Sequence, residues 1–569
     1  MNVVATAGHV DHGKSLLLSA LTGMQTDRHV QERQRGQTID LGFCWTNLGS
    51  AGDVAFIDVP GHERFINTML AGVGSRPAVL FCVAADGGWM PQSAEHLAIL
   101  DAIGCTNAVV AVTRTDLADP ATAIGEAERE FAATSMSGAA IVPVCAKDGT
   151  GLSDLRSRLA QMLEVIPLPH ADSDVRLWID RSFVVHGAGR VVTGTLQAGT
   201  LTVGDTLQIQ DTQVRVRGIE TLGRAVSSIV GSARVALNVA GPDASLAGSG
   251  MCLTTPDRWI YTSEFDMRLR SGTGPLPRQV GLHFGTHRTS ARARTLDDRH
   301  IRVMLQTAIP LRVGDRVVLR DPSTRVTWAG SVLDPVPPKL TRRGDAKRRA
   351  TVLASAPNNA SLAFELQTRG LVQRSKLVQL GVEVPVSLTA EGGPWLLSDQ
   401  KAEKIREGLQ ELLDMNNAEP VPVPEVMGWL GCEDLAILQG VVKPPLRMET
   451  GFVLGEGTWT VVVDELVRGE CQIRPITVEW LKANAVSPRV LRYCTASGVL
   501  VPIVSGVWLS SADVGRLPSV LRELPDPFTA SEARQALGLS RRCTLQILNH
   551  LDSRGVTLRH QDSRRSIRS

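Results

Sequence analysis

Residues 8–15 read GHVDHGKS, a G-x-x-x-x-G-K-S/T pattern that directly follows the apolar run NVVATA. A loop of this type turns its backbone N–H groups toward phosphate oxygens. Asp11, His12 and Gly13 shape the turn, Lys14 reaches the terminal phosphates, and Ser15 offers a hydroxyl oxygen to Mg2+. Two more segments carry phosphate chemistry. DVPGHERF (58–65) follows the apolar run VAFI, so Asp58 stands at a strand end where it can hold a magnesium shell through water. In the same segment Gly61 can present an N–H to a γ-phosphate, and His62 is placed to orient water for in-line attack. The bland reading of His62 is a turn histidine. RGQTIDLGF (35–43) lies between these segments and offers Thr38 as a second metal ligand. The base would be chosen by TRTD (113–116), where Asp116 can accept both the N1–H and the exocyclic amine of guanine. Thr113 and Arg114 precede it, and Cys145, Ala146 and Lys147 would close over the base through the Ala146 N–H. The chemistry expected is Mg2+-dependent hydrolysis of GTP to GDP and phosphate.

The elements that must position these residues have a clear texture. Residues 1–170 alternate Val- and Ala-rich runs with helical stretches, the pattern of an α/β domain with a parallel sheet covered on both faces. From 174 the chain turns to short Val/Leu/Thr runs broken by glycine, which predicts two successive β-barrels, 174–256 and 257–340. Residues 341–569 read as mostly helical. The segments 481–510 and 534–567 share one order: helix end, turn, Ser then Arg, second helix, Gly, ribbon. That order is a helix-turn-helix with a wing, and tandem winged helices are expected, the last over about 511–569.

With 43% hydrophobic and 21% charged residues the chain has an ordinary globular composition, and its net charge is +2. Positive charge is local instead. RRGDAKRR (342–349) holds five cations against one acid, and residues 541–569 carry seven Arg against two Asp. Such clusters are solvated faces or phosphate-binding footprints. The nine cysteines show no metal-like spacing and read as reduced, buried thiols. No apolar run approaches the ~20 residues of a membrane span, so a cytoplasmic, monomeric protein that does not touch membranes is expected.

The motifs G-H-V-D-H-G-K-S, R-G-x-T-I and D-x-P-G-H-E together resemble those of translational GTPases of the elongation factor Tu type. RSFVVHGAGRVVTGTL (181–196) is similar to that family's first barrel, and RVGDRVVLRDPSTRVTWAGSVLD (312–334) to its second. Two positions depart from the pattern. Thr113 and Arg114 replace the Asn and Lys that tie the base site to the phosphate loop. Of the two apolar residues that gate the catalytic histidine, Val10 is present but Gln37 takes the other place.

Joined to a winged-helix tail, these features resemble the bacterial selenocysteine-specific elongation factors. RGQTIDLGF, IDRSF (179–183), GSARVALNVAG (231–241) and LSRRCTLQILNHLDSRGVT (539–557) all fit. The resemblance implies a GTP-dependent carrier of selenocysteyl-tRNA, acting on the ribosome at UGA codons marked by an mRNA hairpin, the selenocysteine insertion element. A selenol is more acidic than a thiol, so a pocket for its anion should hold fixed cations oriented by an acid. Asp40, Arg181 and Arg234 are the candidates, and the family suggests the same three; interdomain salt bridges are the bland alternative. For the hairpin, the tail supplies Arg541, Arg542, Arg559, Arg564 and Arg565, with Ser540 capping a helix whose Leu545, Leu548 and Leu551 face a small core. Competing readings are a general aminoacyl-tRNA or initiation-type GTPase, and a GTPase switch whose winged helices dock protein or DNA.

Overall fold

The structure is a computed structural model that describes residues 2–25, 42–59, 78–167, 169–187, 189–272, 274–324, 326–385, 393–457, 459–468 and 472–568. Gln37, Thr38, Asp40, Gly61 and His62 lie outside the described residues.

The N-terminal domain runs β1 (Asn2–Ala7), α1 (Lys14–Thr22), β2 (Gly42–Asn47), β3 (Asp53–Asp58), β4 (Ala78–Ala84), α2 (Pro91–Ala102), β5 (Asn107–Thr113), α3 (Ala121–Ala132), β6 (Ala140–Pro143) and α4 (Leu152–Glu164). The sheet order is β2-β3-β1-β4-β5-β6. Every residue of β4 is buried, as a central strand with helices on both faces requires. Strand order reverses at β1, which pairs with both β3 and β4, and a sheet of this kind opens its ligand crevice at the carboxyl ends of the strands beside such a reversal. The phosphate loop leaves β1 there. β2 is not among the strands expected from sequence. It is an antiparallel edge strand on β3, with Gly42 opposite Asp58 and Phe43 opposite Ile57.

Two barrels follow. In the first, the strand Ala233–Ala240 alternates buried and half-buried positions without a break, the signature of side chains pointing in and out of a closed sheet. Pairing of Thr206–Ile209 with Thr212–Thr221 completes its circle. The second is a closed six-stranded barrel over residues 260–334. An aromatic–cation stack joins the two. Trp259 packs against the Arg176 and Arg312 guanidiniums, 4.4 and 3.8 Å from the ring centre. Arg176 forms a bidentate pair with Asp315 at 2.6 and 2.7 Å, and Arg312 pairs with Asp174. The second barrel also closes on the N-terminal domain, since its Val318 and Ala329 belong to the apolar core beneath β4 and β5.

The basic cluster 342–349 is partly interior. Arg349 sits on the helix Asp345–Ala354, is buried, and reaches Asp266 at 2.7 Å and Asp334 at 2.5 Å. Asp266 is fully buried and also holds Arg302 at 2.7 and 3.0 Å. Arg348 pairs with Asp345. One of the five cations is thus a buried bolt between helix and barrel, and another has a local acid.

A second compact unit comprises residues 369–374 and 385–569. It contains a two-stranded ribbon, Leu371–Gln373 with Trp395–Leu397, and three helix-rich modules over 399–567. Among the described residues each module has three helices and a small antiparallel sheet, the winged-helix plan. Polar caps set the helix starts: Ser398, Ser487, Ser510 and Ser540 each accept a backbone N–H, and Thr529 with Glu532 makes a full capping box.

Candidate functional site

The phosphate loop is held by contacts that dictate its residue types. Gly8 has φ +119°, and a Cβ there would lie 2.1 Å from the Cys82 carbonyl oxygen, so no side chain fits. The Gly8 N–H donates to His96 Nδ1 at 3.1 Å, and the Val10 N–H donates to Gln92 Oε1 at 3.2 Å. Burial, then the charge of Lys14, pushes His96 down to about 3, so the ring is neutral and free to accept. Neither His96 nor Gln92 was expected; nothing in the spacing of α2 relates it to a loop some 80 residues earlier.

Lys14 is buried at the start of α1, its ammonium donating to the carbonyls of Gly8 (3.2 Å) and His9 (2.6 Å). Burial lowers its pKa, an effect that an approaching phosphate would oppose. Asp58 is fully buried at the end of β3 and accepts from Thr6 Oγ1 at 3.1 Å. Ser15 follows Lys14 in the first turn of α1. A hydroxyl and a carboxylate beside a phosphate loop form an all-oxygen donor set suited to Mg2+, which keeps several waters and takes few protein ligands.

The unusual TRTD segment repairs what its departures remove. The Thr113 hydroxyl donates to the His12 carbonyl at 2.8 Å, and Arg114 reaches the Asp11 carbonyl at 3.3 Å while pairing with Asp86 at 2.9 Å. Residues 113 and 114 thus tie this segment to the phosphate loop through a shorter side chain and a longer one than the family pattern has. Removing the hydroxyl in Thr113→Val should weaken GTP and GDP binding about tenfold, read by titration with a fluorescent guanine nucleotide. An unchanged affinity would mean that the other loop contacts suffice. Asp116 is held by Lys147 at 2.8 Å, and that hydrogen bond lowers its pKa, so it is an anion able to accept from a base. Cys145 is buried, and its backbone closes a turn onto Thr150 and Gly149 that presents Ala146.

Arg181 and Arg234 come together on the first barrel where it meets β2. The Phe43 ring of β2 lies under both guanidiniums, 3.9 Å from Arg234 and 5.2 Å from Arg181. Asp180 grips Arg234 with both oxygens, one contact at 2.7 Å, and the Thr193 hydroxyl donates to the same carboxylate at 2.6 Å. A break in register between Ile179 and Arg181 explains how neighbouring residues 180 and 181 both reach this corner. Sequence reasoning missed Asp180 and Phe43, although both stand beside residues it named.

At the far end of the chain, Arg541 and Arg542 are exposed in the first turn of the helix Arg541–Ser553, which Ser540 caps. Arg559 and Arg564 are exposed on the ribbon beside it. Arg565 is not part of that surface. Its guanidinium is buried, bonded to Asp552 at 2.9 Å and Asn549 at 3.0 Å, and it fastens the ribbon to the helix. The core face is likewise corrected: Thr544, Ile547, Leu548 and Leu551 are buried, whereas Leu545 is exposed. Spacing alone put Leu545 one helical step too far around.

Comparison with known proteins bears on the family and the fold. Family models match three segments: the elongation factor Tu GTP binding domain over residues 1–165, the beta-barrel domain of selenocysteine-specific elongation factor over 276–339, and the winged helix of elongation factor SelB over 519–566. With a phosphate loop, two barrels and winged helices in one chain, the fold and site define a translational GTPase. The selenocysteine-specific elongation factor of Escherichia coli (strain K12) is 30% identical, with 98% of this chain and 97% of that protein aligned. That of Haemophilus influenzae is 32% identical over the same shares. The crystal structure of a bacterial selenocysteine-specific elongation factor, EF-Sec, superposes with a TM-score of 0.76 at 25% identity and covers 100% of this chain and 99% of that one. The chain belongs to the selenocysteine-specific elongation factor family. Translation initiation factor 2 subunit gamma of Thermococcus onnurineus aligns with only 36% of the chain, leaving the rest unexplained by the initiation-type alternative.

Proposed function

We propose that this GTPase carries selenocysteyl-tRNA in its GTP form, is recruited by an mRNA insertion hairpin next to a UGA codon, and releases the tRNA on the ribosome after hydrolysis. The observation that carries the reading is the pair of guanidiniums over Phe43, one of them gripped by Asp180. Fixed cations in a partly buried corner suit an anionic selenolate and give a neutral serine hydroxyl little. Asp40, which lies outside the described residues, is proposed to orient these cations.

Lys14 and the loop N–H groups would hold the phosphates; Ser15, Thr38 and Asp58 would hold the Mg2+ shell; and Asp116, with the Ala146 N–H, would read guanine. Mg2+ neutralises developing charge on the phosphates when bound. His62 would orient the attacking water, and the Gly61 N–H would donate to the γ-phosphate. Catalysis here is positioning and electrostatics, with no covalent intermediate on the protein. Among the described residues no helix is long and apolar enough to cross a membrane. Delivery of a tRNA to the ribosome would put the protein in the cytoplasm, and the proposal is that it works there as a monomer.

The test is protection of aminoacyl ester bonds from hydrolysis with GTP present. Selenocysteyl-tRNA should be protected and seryl-tRNA on the same tRNA should not; equal protection defeats the assignment. Hairpin binding rests on Arg541, Arg542, Arg559 and Arg564, at a capped helix N-terminus and an exposed wing. Because these are backbone-type contacts, affinity should fall steeply with salt. Replacing Arg541 and Arg542 together by alanine should weaken hairpin binding at moderate salt and reduce the log–log salt slope by about 1.5, measured by fluorescence anisotropy. An unchanged slope would move the RNA elsewhere.

A further inference from the structure

We infer that Phe43 is a positioning residue for selenocysteyl discrimination: its ring is the floor that holds the two pocket arginines in place, and it is supplied by the GTPase domain. The inference rests on the proposed selenocysteyl site and assigns that site a part contributed from outside the barrel. Arg181 and Arg234 stand on barrel strands separated by the strand Gly189–Leu196, paired with Thr193 and Thr195 respectively. They converge from either side of that strand onto one half-buried ring. Two like charges brought this close repel each other, and the convergence needs negative potential nearby. Asp180 supplies some of it to Arg234, and the negative face of an aromatic ring supplies more to both.

The floor is well connected. Phe43 packs against the apolar core of the GTPase domain, and its strand carries Gly42 opposite Asp58, the carboxylate assigned to the magnesium shell. Two residues further on, Trp45 lies against Gly223 of the barrel, where an added Cβ would sit 3.6 Å from the indole. β2 is therefore the strand on which the barrel rests at this corner, with one aromatic under the pocket and another beside it. The cations belong to the barrel and the ring to the GTPase domain, so the corner is complete only while the barrel is docked on β2. A charge-selective site assembled this way loses selectivity when the domains part, without any residue of the barrel changing.

The experiment uses the full chain with a non-hydrolysable GTP analogue and measures affinity for selenocysteyl-tRNA and seryl-tRNA side by side. Phe43→Leu, similar in bulk but without the ring, should weaken selenocysteyl-tRNA binding about three- to thirtyfold and leave seryl-tRNA and GTP-analogue binding within about twofold. Phe43→Tyr, which restores the ring, should restore the discrimination ratio. If Phe43→Leu lowers both tRNA affinities equally, or neither, the residue is ordinary packing and the inference falls. A wild-type protein that does not discriminate would overturn the selenocysteyl reading itself, and that result appears before any variant is made.

Discussion

Arg234→Ala is expected to lower selenocysteyl-tRNA affinity by about two to three orders of magnitude while changing seryl-tRNA affinity much less. The reason lies as much in what stays as in what leaves. The Asp180 side chain is only 5% exposed, and Arg234 is its bidentate partner. Without the guanidinium, Asp180 becomes a nearly buried anion facing the place where a selenolate should sit, so a lost attraction is joined by a new repulsion. Arg234→Ala combined with Asp180→Asn should recover part of the loss by removing that repulsion. Arg234→Lys should recover little, because an ammonium cannot match the two-point grip or spread over Phe43. Parallel deacylation-protection assays on the two charged tRNAs check all three variants. A uniform loss on both would reassign Arg234 to interdomain packing.

Asp266→Ala should cost about 3–5 kcal/mol of stability, seen as an early transition in thermal or chemical denaturation of the full chain. Asp266 is fully buried and accepts from both Arg302 and Arg349, themselves nearly buried. Truncating it leaves two guanidiniums facing each other in the interior. Arg349 keeps Asp334, and Arg302 keeps Glu264 at 3.3 Å and the Pro338 carbonyl at 2.8 Å, so the damage is bounded. Replacing Arg302 by methionine should cost at least as much, since Arg349 must then serve both Asp266 and Asp334. The nucleotide site lies in another domain, and GTP affinity at low temperature should stay unchanged. If Asp266→Ala melts with the wild type, the network contributes specificity of packing and little stability.

Arg234 is legible in the sequence, whereas the buried partners of Asp266 are not. The phosphate loop was legible because its function demands a local string: a glycine where a side chain would strike the neighbouring strand, another with positive φ, a lysine, then a hydroxyl. Gly8 against the Cys82 carbonyl shows the reason in a single contact. The winged helices were legible through caps and wing glycines, which act within a few residues. Arg181 and Arg234 were named partly through resemblance, but their charge was meaningful only once a chemical partner was imagined.

Where pairing is remote, local reasoning failed in a consistent direction. It counted Arg565 and Arg349 as surface charge, whereas each is the buried partner of an aspartate, 13 residues away in one case and 83 in the other. It left out Asp180, Phe43, His96 and Gln92, which act on residues distant in sequence: across one barrel, between domains, or from a helix to the phosphate loop.

The sequence by itself determined the chemistry of the nucleotide site, the succession of an α/β domain, barrels and winged helices, and the capped helix at Ser540 that begins with two arginines. Those features depend on backbone geometry and short-range periodicity, both written in consecutive residues. Only the tertiary structure decided which charges are available. Arg349 and Arg565 are buried against carboxylates brought beside them by folding, whereas Arg541 and Arg542 stay exposed. It also decided that Thr113 and Arg114 reconnect the base segment to the phosphate loop, and that an aromatic ring from one domain lies beneath two cations of the next. Spacing in the chain carries no trace of that contact, because strands distant in sequence meet only when the barrel docks on β2.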